Sequence, residues 1–272
     1  MPELPEVETI RRDLEPLIVG RSITSAWVSE NAPRLVQLLA PAEFERLLPG
    51  HVIEGVSRRG KYLVFDLDRG MKWVVHLRMT GRLLHREGEC EADAYLRAKF
   101  SLSDGAWLCF NDVRKFGMMW LVDDWSLVHA GLGPEPLEDG FEVAAFASLL
   151  KRRGAPIKSV LLDQTVVAGV GNIYADEALF LSGLDPRKPA KSISRPKAVR
   201  LHAAIIETLN EALGDRGSSF RDYVDGKGNE GKHHLKVKVY QRTDQPCHVC
   251  GASIRRVVIG GRSTHYCPKC QR

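Results

Sequence analysis

No apolar run in this chain approaches the ~20 residues that a membrane-spanning helix requires, so no transmembrane helix is expected. The first residues lack the basic, apolar, small-residue pattern of a secretory signal, which makes a cytoplasmic, reducing location the default expectation. Aromatic residues are sparse at 7%, and there are only 6 cysteines among 272 residues, too few for a disulfide-dense secreted scaffold. Internal repeats and low-complexity tracts are missing too, which excludes a solenoid. Nor does one sign of charge dominate: 39 Lys and Arg stand against 34 Asp and Glu, a formal net charge of +5. What remains is ordinary for a globular protein, with 44% hydrophobic and 27% charged residues. The length suits two domains.

The small net charge conceals an uneven distribution. Residues 191–272 carry 16 Lys and Arg but 7 Asp and Glu, a balance of +9, while the first 190 carry 23 and 27, a balance of −4. A basic C-terminal third points to a polyanion partner, most often nucleic acid, with a merely solvated basic face as the alternative.

Taken in order, Val7, Ile10, Leu14 and Leu17 recur at helical spacing, and Gly20 ends that helix. From Ser22 to about Asp123 the pattern turns to strands, at 23–28, 52–56, 62–67, 73–77, 98–102 and 106–110. Asp68-Arg69-Gly70 and Ser103-Asp104-Gly105 make hairpin turns, and one short helix is expected at 41–48. The stretch 131–136, Gly-Leu-Gly-Pro-Glu-Pro, reads as an interdomain hinge. Helices follow at 141–151, 157–163 and 172–182, and the longest begins after a Ser194 cap with Ala198, Leu201, Ile205, Leu209 and Ala212 on one face. A Gly-rich polar stretch, 217–234, is expected to be a mobile loop.

Cys247-x-x-Cys250 and Cys267-x-x-Cys270, sixteen residues apart, have the spacing of a tetrahedral zinc site. Four protein ligands leave no open position, so one structural zinc ion is predicted, with His248 and His265 as nearby rival ligands. The segment 237–272 has too little core to fold without the ion. It carries Arg255, Arg256 and Arg262 on a ribbon suited to a DNA groove. Cys90 and Cys109 lack metal spacing and read as free thiols, given a reducing compartment.

At the N-terminus, removal of Met1 makes Pro2 a secondary amine. An α-amino group has a pKa near ~7.7–8.0 against ~10.4 for lysine, so it is partly unprotonated at neutral pH. Such an amine can attack a sugar carbon and form an iminium, with Glu3 and Glu6 at hand for proton transfer. The structural alternative is an acidic helix start, since Pro and Glu both favour a first turn. Gly169-Val170-Gly171 opens into a helix at Asn172, a geometry that receives anions. Arg58-Arg59-Gly60-Lys61-Tyr62 is a basic cluster at a strand start, equally readable as a charged edge.

These stretches together resemble one family. Met1-Pro2-Glu3-Leu4-Pro5-Glu6-Val7-Glu8 is similar to the start of the formamidopyrimidine-DNA glycosylase family, whose N-terminal proline is the nucleophile. Residues 157–182, with their Gly-Val-Gly-Asn-Ile-Tyr-Ala run, resemble its helix–two-turns–helix element, and the four-cysteine tail completes a likeness over essentially the whole chain. The resemblance implies that Lys61 binds phosphate beside the lesion and assists the chemistry, and that Lys158 and Asn172 contact phosphate. Loops 76–81 and 112–117 look like the two that fill the hole left by a flipped nucleotide, which implies Met79, Arg114 and Phe116 as the inserted trio. Tyr95 stands where family members often carry a histidine that touches DNA. The Gly231-Lys232-His233-His234 run is similar instead to endonuclease VIII, the sister glycosylase for oxidised pyrimidines. Leu4 and the inserted trio favour the formamidopyrimidine branch.

The reading is an α+β protein. An N-terminal β-sandwich with flanking helices (1–133) precedes a helical DNA-binding domain with a lesion loop (137–234) and a zinc ribbon (235–272). The resemblance implies a monomeric DNA glycosylase and AP lyase. It would excise 8-oxoguanine and formamidopyrimidines from double-stranded DNA in the cytoplasm, at the nucleoid. Its catalytic residues would be Pro2, Glu3 and Lys61 with Glu6 in support, and its DNA contacts Tyr95, Arg114, Lys158, Asn172 and Arg262. A glycosylase for oxidised pyrimidines and a non-catalytic zinc-ribbon DNA binder are the alternatives.

Overall fold

Short β-rich runs broken by turns become two four-stranded antiparallel sheets in the computed structural model, which describes residues 2–91 and 93–272. The chain forms two contact-dense units. One holds the residues up to Ala130 plus Asp215–Lys232, the other Gly131–Gly214 plus His233–Arg272.

In the first unit, helix α1 (Leu4–Ile18) buries Val7, Ile10 and Leu14 of the expected apolar stripe; Ile18 rather than the expected Leu17 completes it, Leu17 being only partly buried, and Gly20 ends the helix at φ 82°. Next come β1 (Ile23–Val28), α2 (Pro41–Leu47), β2 (Ile53–Arg59), β3 (Tyr62–Leu67), β4 (Lys72–His76), β5 (Gly81–Arg86), β6 (Leu96–Leu102), β7 (Trp107–Asp112), β8 (Met118–Val122) and the one-turn helix α3 (Ser126–His129). The sheets run β1-β6-β7-β5 and β2-β3-β4-β8. Residues of both contribute to one core in which Trp73 lies 4.5 Å from Phe65 and 4.5 Å from Phe100, ring centre to ring centre. This is the expected sandwich. Strands β5 and β8 and helix α3 were not anticipated.

Cys90 and Cys109 correct the sequence reading. They form a disulfide, with Cα atoms 5.7 Å apart, instead of two free thiols. The bridge joins the β5–β6 connection to the outer face of β7, where it packs with Leu96 and Trp107.

The second unit comprises α4 (Val143–Lys151), α5 (Ile157–Leu162), α6 (Asn172–Leu181), α7 (Arg195–Gly214) and the hairpin β9 (Arg255–Ile259) and β10 (Arg262–Tyr266), which turns at Gly260-Gly261. The expected hinge marks the boundary between units, and its own residues pack with the second. Gly133 donates to the Gln164 carbonyl at 2.8 Å, and a Cβ there would stand 2.6 Å from the Thr165 carbonyl oxygen. Two groupings differ from expectation: Asp215–Lys232 packs with the strands rather than with the helices, and the ribbon packs on α6 through Phe180, Val239 and Ile254. Among the described residues, no helix is long and apolar enough to cross a membrane.

Candidate active site and nucleic-acid interface

Helix α1 begins immediately after Pro2 and Glu3, both buried. Glu3 is its N-cap, in a reciprocal capping box with Glu6: the Glu3 side chain accepts the Glu6 N–H, and Glu6 Oε2 accepts the Glu3 N–H at 2.7 Å. Glu6 Oε1 accepts the Ser218 N–H at 2.8 Å. With both oxygens taken by backbone donors, Glu6 holds the turn and the 218 segment in place. Tyr223 donates its hydroxyl to the Arg216 carbonyl at 3.1 Å beside the same turn, and burial pushes its phenol pKa up. In the chain as encoded the Pro2 nitrogen is an amide of Met1, so its lone pair is delocalised; nucleophilicity requires that Met1 be removed.

Lys61 follows Gly60, whose φ of 57° turns β2 into β3. Across the sheet Tyr62 pairs with His76, and the two rings meet edge to face at 4.6 Å. Arg78 donates its N–H to His76 Nδ1 at 3.0 Å, which leaves the ring proton on Nε2. Burial, then the charges of Arg78 and Lys61, push the His76 pKa down to about 3. The result is a neutral N–H donor beside a lysine, a pairing suited to phosphate. The sequence reading missed His76, although it begins the His-Leu-Arg-Met-Thr-Gly loop.

The three expected void-filling residues come together. Arg114 Nη1 lies 3.1 Å from the Met79 sulfur, and its guanidinium sits 4.6 Å from the centre of the Phe116 ring. Arg114 and Phe116 are exposed and Met79 is half-buried, so an aromatic face and a cation stand outward beside a thioether. Their platform is Asp112, a buried residue that sequence reasoning passed over. Its Oδ1 accepts the Thr80 hydroxyl and the Arg114 N–H, while its Oδ2 accepts the N–H groups of Phe116 and Gly117 at 2.8 and 2.7 Å. One carboxylate thus binds both loops. Gly81 and Gly117 are required beside it, because a Cβ at either would stand 3.0 Å or less from the Phe110 ring. Tyr95 borders the same platform: its carbonyl accepts the Asp112 N–H at 2.8 Å, and its side chain is exposed.

In the second unit, Asn172 and Arg262 line one cavity of about 380 Å³ with Arg256 and Ser263. Asn172 Nδ2 donates to the Ser263 carbonyl at 3.0 Å, and its buried Oδ1 is unpaired. Lys158 does not join them, which corrects its expected role as a direct phosphate contact. It is fully buried, its ammonium held by Asp176 Oδ1 at 2.5 Å and the Asn172 carbonyl at 2.9 Å. Asp176 Oδ2 in turn accepts the His265 N–H at 3.0 Å, while Glu177 accepts the N–H groups of Lys238, Val239 and Tyr240. Burial raises the Glu177 pKa against those three bonds. Two adjacent acids on α6 therefore seat the ribbon from both sides.

The sulfurs of Cys247, Cys250, Cys267 and Cys270 all lie within 4.8 Å of one another, with Cys247–Cys270 at 3.9 Å and Cys250–Cys267 at 3.4 Å. Four sulfurs ~2.3 Å from a tetrahedral zinc stand ~3.8 Å apart, so the set fits one structural zinc ion. His265 turns toward Asp176 instead (Nδ1 to Oδ2, 3.3 Å), and neither it nor His248 belongs to the cluster.

Comparison with known proteins accords with this arrangement. Residues 1–119 match the formamidopyrimidine-DNA glycosylase N-terminal domain, 132–223 its helix–two-turns–helix domain, and 244–272 a zinc finger found in that glycosylase and in isoleucyl-tRNA synthetase. The formamidopyrimidine-DNA glycosylase of Moorella thermoacetica is 46% identical over 261 residues, 94% of each chain. That of Chloroflexus aggregans is 43% identical over 273 residues, 100% of this chain and 98% of the relative. Among solved structures, a mutant of the Lactococcus lactis enzyme in complex with formamidopyrimidine-containing DNA superposes with a TM-score of 0.92 at 37% identity, covering 100% of both chains. The Thermus thermophilus protein gives 0.89 at 39% identity, covering 99% of this chain and 98% of that one. By fold, site and likeness over its full length, the chain belongs to the formamidopyrimidine-DNA glycosylase family of glycosylase/AP-lyase enzymes.

Proposed function

We propose that the chain excises oxidised purines from double-stranded DNA and then cuts the strand at the resulting site. The observation that carries this reading is the Met79–Arg114–Phe116 cluster on Asp112, in the same unit whose first helix begins at Pro2 and Glu3. An outward aromatic, a thioether and a guanidinium replace the stacking and base pairing lost when a nucleotide leaves the duplex.

Extrusion of the lesion costs a few kcal/mol of stacking. The Pro2 amine attacks the deoxyribose C1′ and the base departs, with Glu3 moving protons to and from the opening sugar. The iminium so formed acidifies the neighbouring carbon. β-Elimination then breaks the 3′ phosphate bond, δ-elimination breaks the 5′ bond, and water hydrolyses the iminium to free the Pro2 amine. Lys61 and His76 in the first unit, and Asn172 and Arg262 in the second, are assigned to the phosphates, with Tyr95 as a further contact. The 217–234 segment covers the extruded base. Oxidation turns guanine N7 into an N–H donor, which a backbone carbonyl of that segment accepts, whereas normal guanine would oppose two lone pairs. A buried acceptor left unpaired costs ~1–3 kcal/mol. The Lys232-His233-His234 run gives the pyrimidine alternative little support, because His233 is buried with its ring 5.8 Å from Tyr174.

The test is excision from an 8-oxoguanine·cytosine duplex against a thymine glycol·adenine duplex, at matched enzyme and salt. Borohydride trapping runs alongside, since only an iminium can be reduced to a stable crosslink. Removal of thymine glycol faster by about tenfold or more would place the activity with oxidised pyrimidines, and no crosslink to either duplex would point to a binder without catalysis.

A further inference from the structure

The segment Asp215–Lys232 is closed at its base: Lys232 donates its N–H to the Asp215 carbonyl at 2.9 Å, and Ser218 bridges Lys232 antiparallel. Within it, Arg216 and Gly217 both take left-handed backbone, φ 61° and 83°, a tight reversal that aims the Arg216 side chain back at α1. There one nitrogen, Nη2, donates to both carboxylate oxygens of Asp13, at 2.8 and 2.6 Å, and to Asp225 Oδ2 at 2.5 Å. Asp13 Oδ2 also accepts the Gly226 N–H at 3.2 Å, and Asp225 Oδ1 accepts those of Lys227 and Asn229 at 2.9 and 2.8 Å. Both carboxylates are buried while the guanidinium reaches solvent. Two buried acids within reach of one another need a shared cation, and Arg216 is that cation. The second hold is Glu6, which takes the Ser218 N–H. Between these two anchors Tyr223 folds back over the reversal, returning its hydroxyl to the Arg216 carbonyl.

We infer that Arg216 is a positioning residue for base recognition: by clamping Asp13 of α1 to Asp225, it fixes 218–224 against the helix that carries Pro2 and Glu3. The inference rests on the proposed roles of Pro2 as nucleophile and of this segment as the cover of the extruded base. Excision requires the cover in register with the nucleophile. Elimination at a site that has already lost its base does not. Loosening the clamp therefore separates two activities that share Pro2.

The experiment measures, for wild type, Arg216→Ala, Arg216→Lys and Asp225→Asn, single-turnover excision of 8-oxoguanine and cleavage of a preformed abasic site, with hydrogen exchange of the 215–232 amides. A misplacement on the order of 1 Å can cost ~100-fold, so Arg216→Ala is expected to lose at least about tenfold in excision and under about threefold in abasic cleavage. Protection of the Ser218 and Gly226 amides should fall with it. Lysine should restore part of the excision rate, because it returns the charge without the planar fork. Asp225→Asn keeps the acceptor for Lys227 and Asn229 and tests the clamp should the alanine variant fail to fold. Equal loss of both activities, or unchanged amide protection, overturns the inference. A wild type that cleaves abasic DNA but leaves 8-oxoguanine in place overturns the functional reading instead, and the exchange data then decide the clamp separately.

Discussion

At the residue scale the proposed chemistry turns on one bond, Met1 to Pro2. The active protein should therefore have the intact mass of a chain lacking Met1, and full activity with Met1 retained would disprove the nucleophile. Pro2→Gly and Glu3→Gln should each lose most strand cleavage while keeping affinity for abasic DNA, read by band shift beside a cleavage gel. Arg114 presents an exposed guanidinium stacked on Phe116. Cytosine offers that fork two adjacent acceptors, N3 and O2, whereas adenine offers an N6 donor, a mismatch of about 1–3 kcal/mol. Arg114→Ala should thus slow excision and flatten a cytosine-over-adenine preference for the opposite base; equal wild-type rates opposite the two would remove its role. Single residues were unevenly legible in the sequence. Pro2 could be proposed because the amine that removal of Met1 would expose follows from position alone. Lys158 misled because its partner, Asp176, lies eighteen residues on and only the packing of α5 on α6 brings them together. Asp112 was invisible for a related reason: an aspartate that accepts four backbone and side-chain donors looks in sequence like any turn residue.

At the scale of elements, spacing revealed most where one face is buried and little where it is not. Helix α1 and strands β3, β4 and β7 carry clear apolar patterns, and their expected bounds lie within a few residues of those observed. Strand β5, Gly-Arg-Leu-Leu-His-Arg, is half basic and has no β-branched residue, and it is ordered by pairing with β7. Strand β8, Met-Met-Trp-Leu-Val, is apolar at every position and shows no alternation in sequence, and it is set by pairing with β4. The disulfide was hidden because the inferred compartment, not the geometry, governed the reading of Cys90 and Cys109. The four zinc ligands were legible, since metal spacing is local. Chelation, or Cys267→Ala, should abolish DNA binding while the near-ultraviolet signal of the Trp73 core persists, because the ion holds only the hairpin that bears Arg262. Wild-type binding by protein shown to be metal-free would rule this out.

Across the whole molecule, pH should act through His76. Its pKa falls from 6.5 to about 3 on folding, so above pH 6.5 neither state takes the proton and the stability term is complete. As pH drops from 6.5 toward 3 the unfolded chain binds a proton that the folded chain refuses, and stability is lost at ~1.4 kcal/mol per unit. At pH 5 that amounts to roughly 2 kcal/mol. His76→Gln should therefore show a smaller decline in Tm between pH 7.5 and 5 than wild type, and parallel declines would contradict the assignment. Connectivity has a consequence of another kind. The strand-bearing unit takes its last piece, Asp215–Lys232, from beyond all four helices α4–α7 of the other unit. On the ribosome, then, the partners of Glu6 and Asp13 are not yet made when Ala130 appears. At ~5–20 residues per second, residues 131–232 take about 5–20 s to synthesise. Throughout that interval Glu6 lacks the Ser218 N–H and Asp13 lacks Arg216, and a chaperone or a stalled ribosome would find the nascent sandwich open along α1.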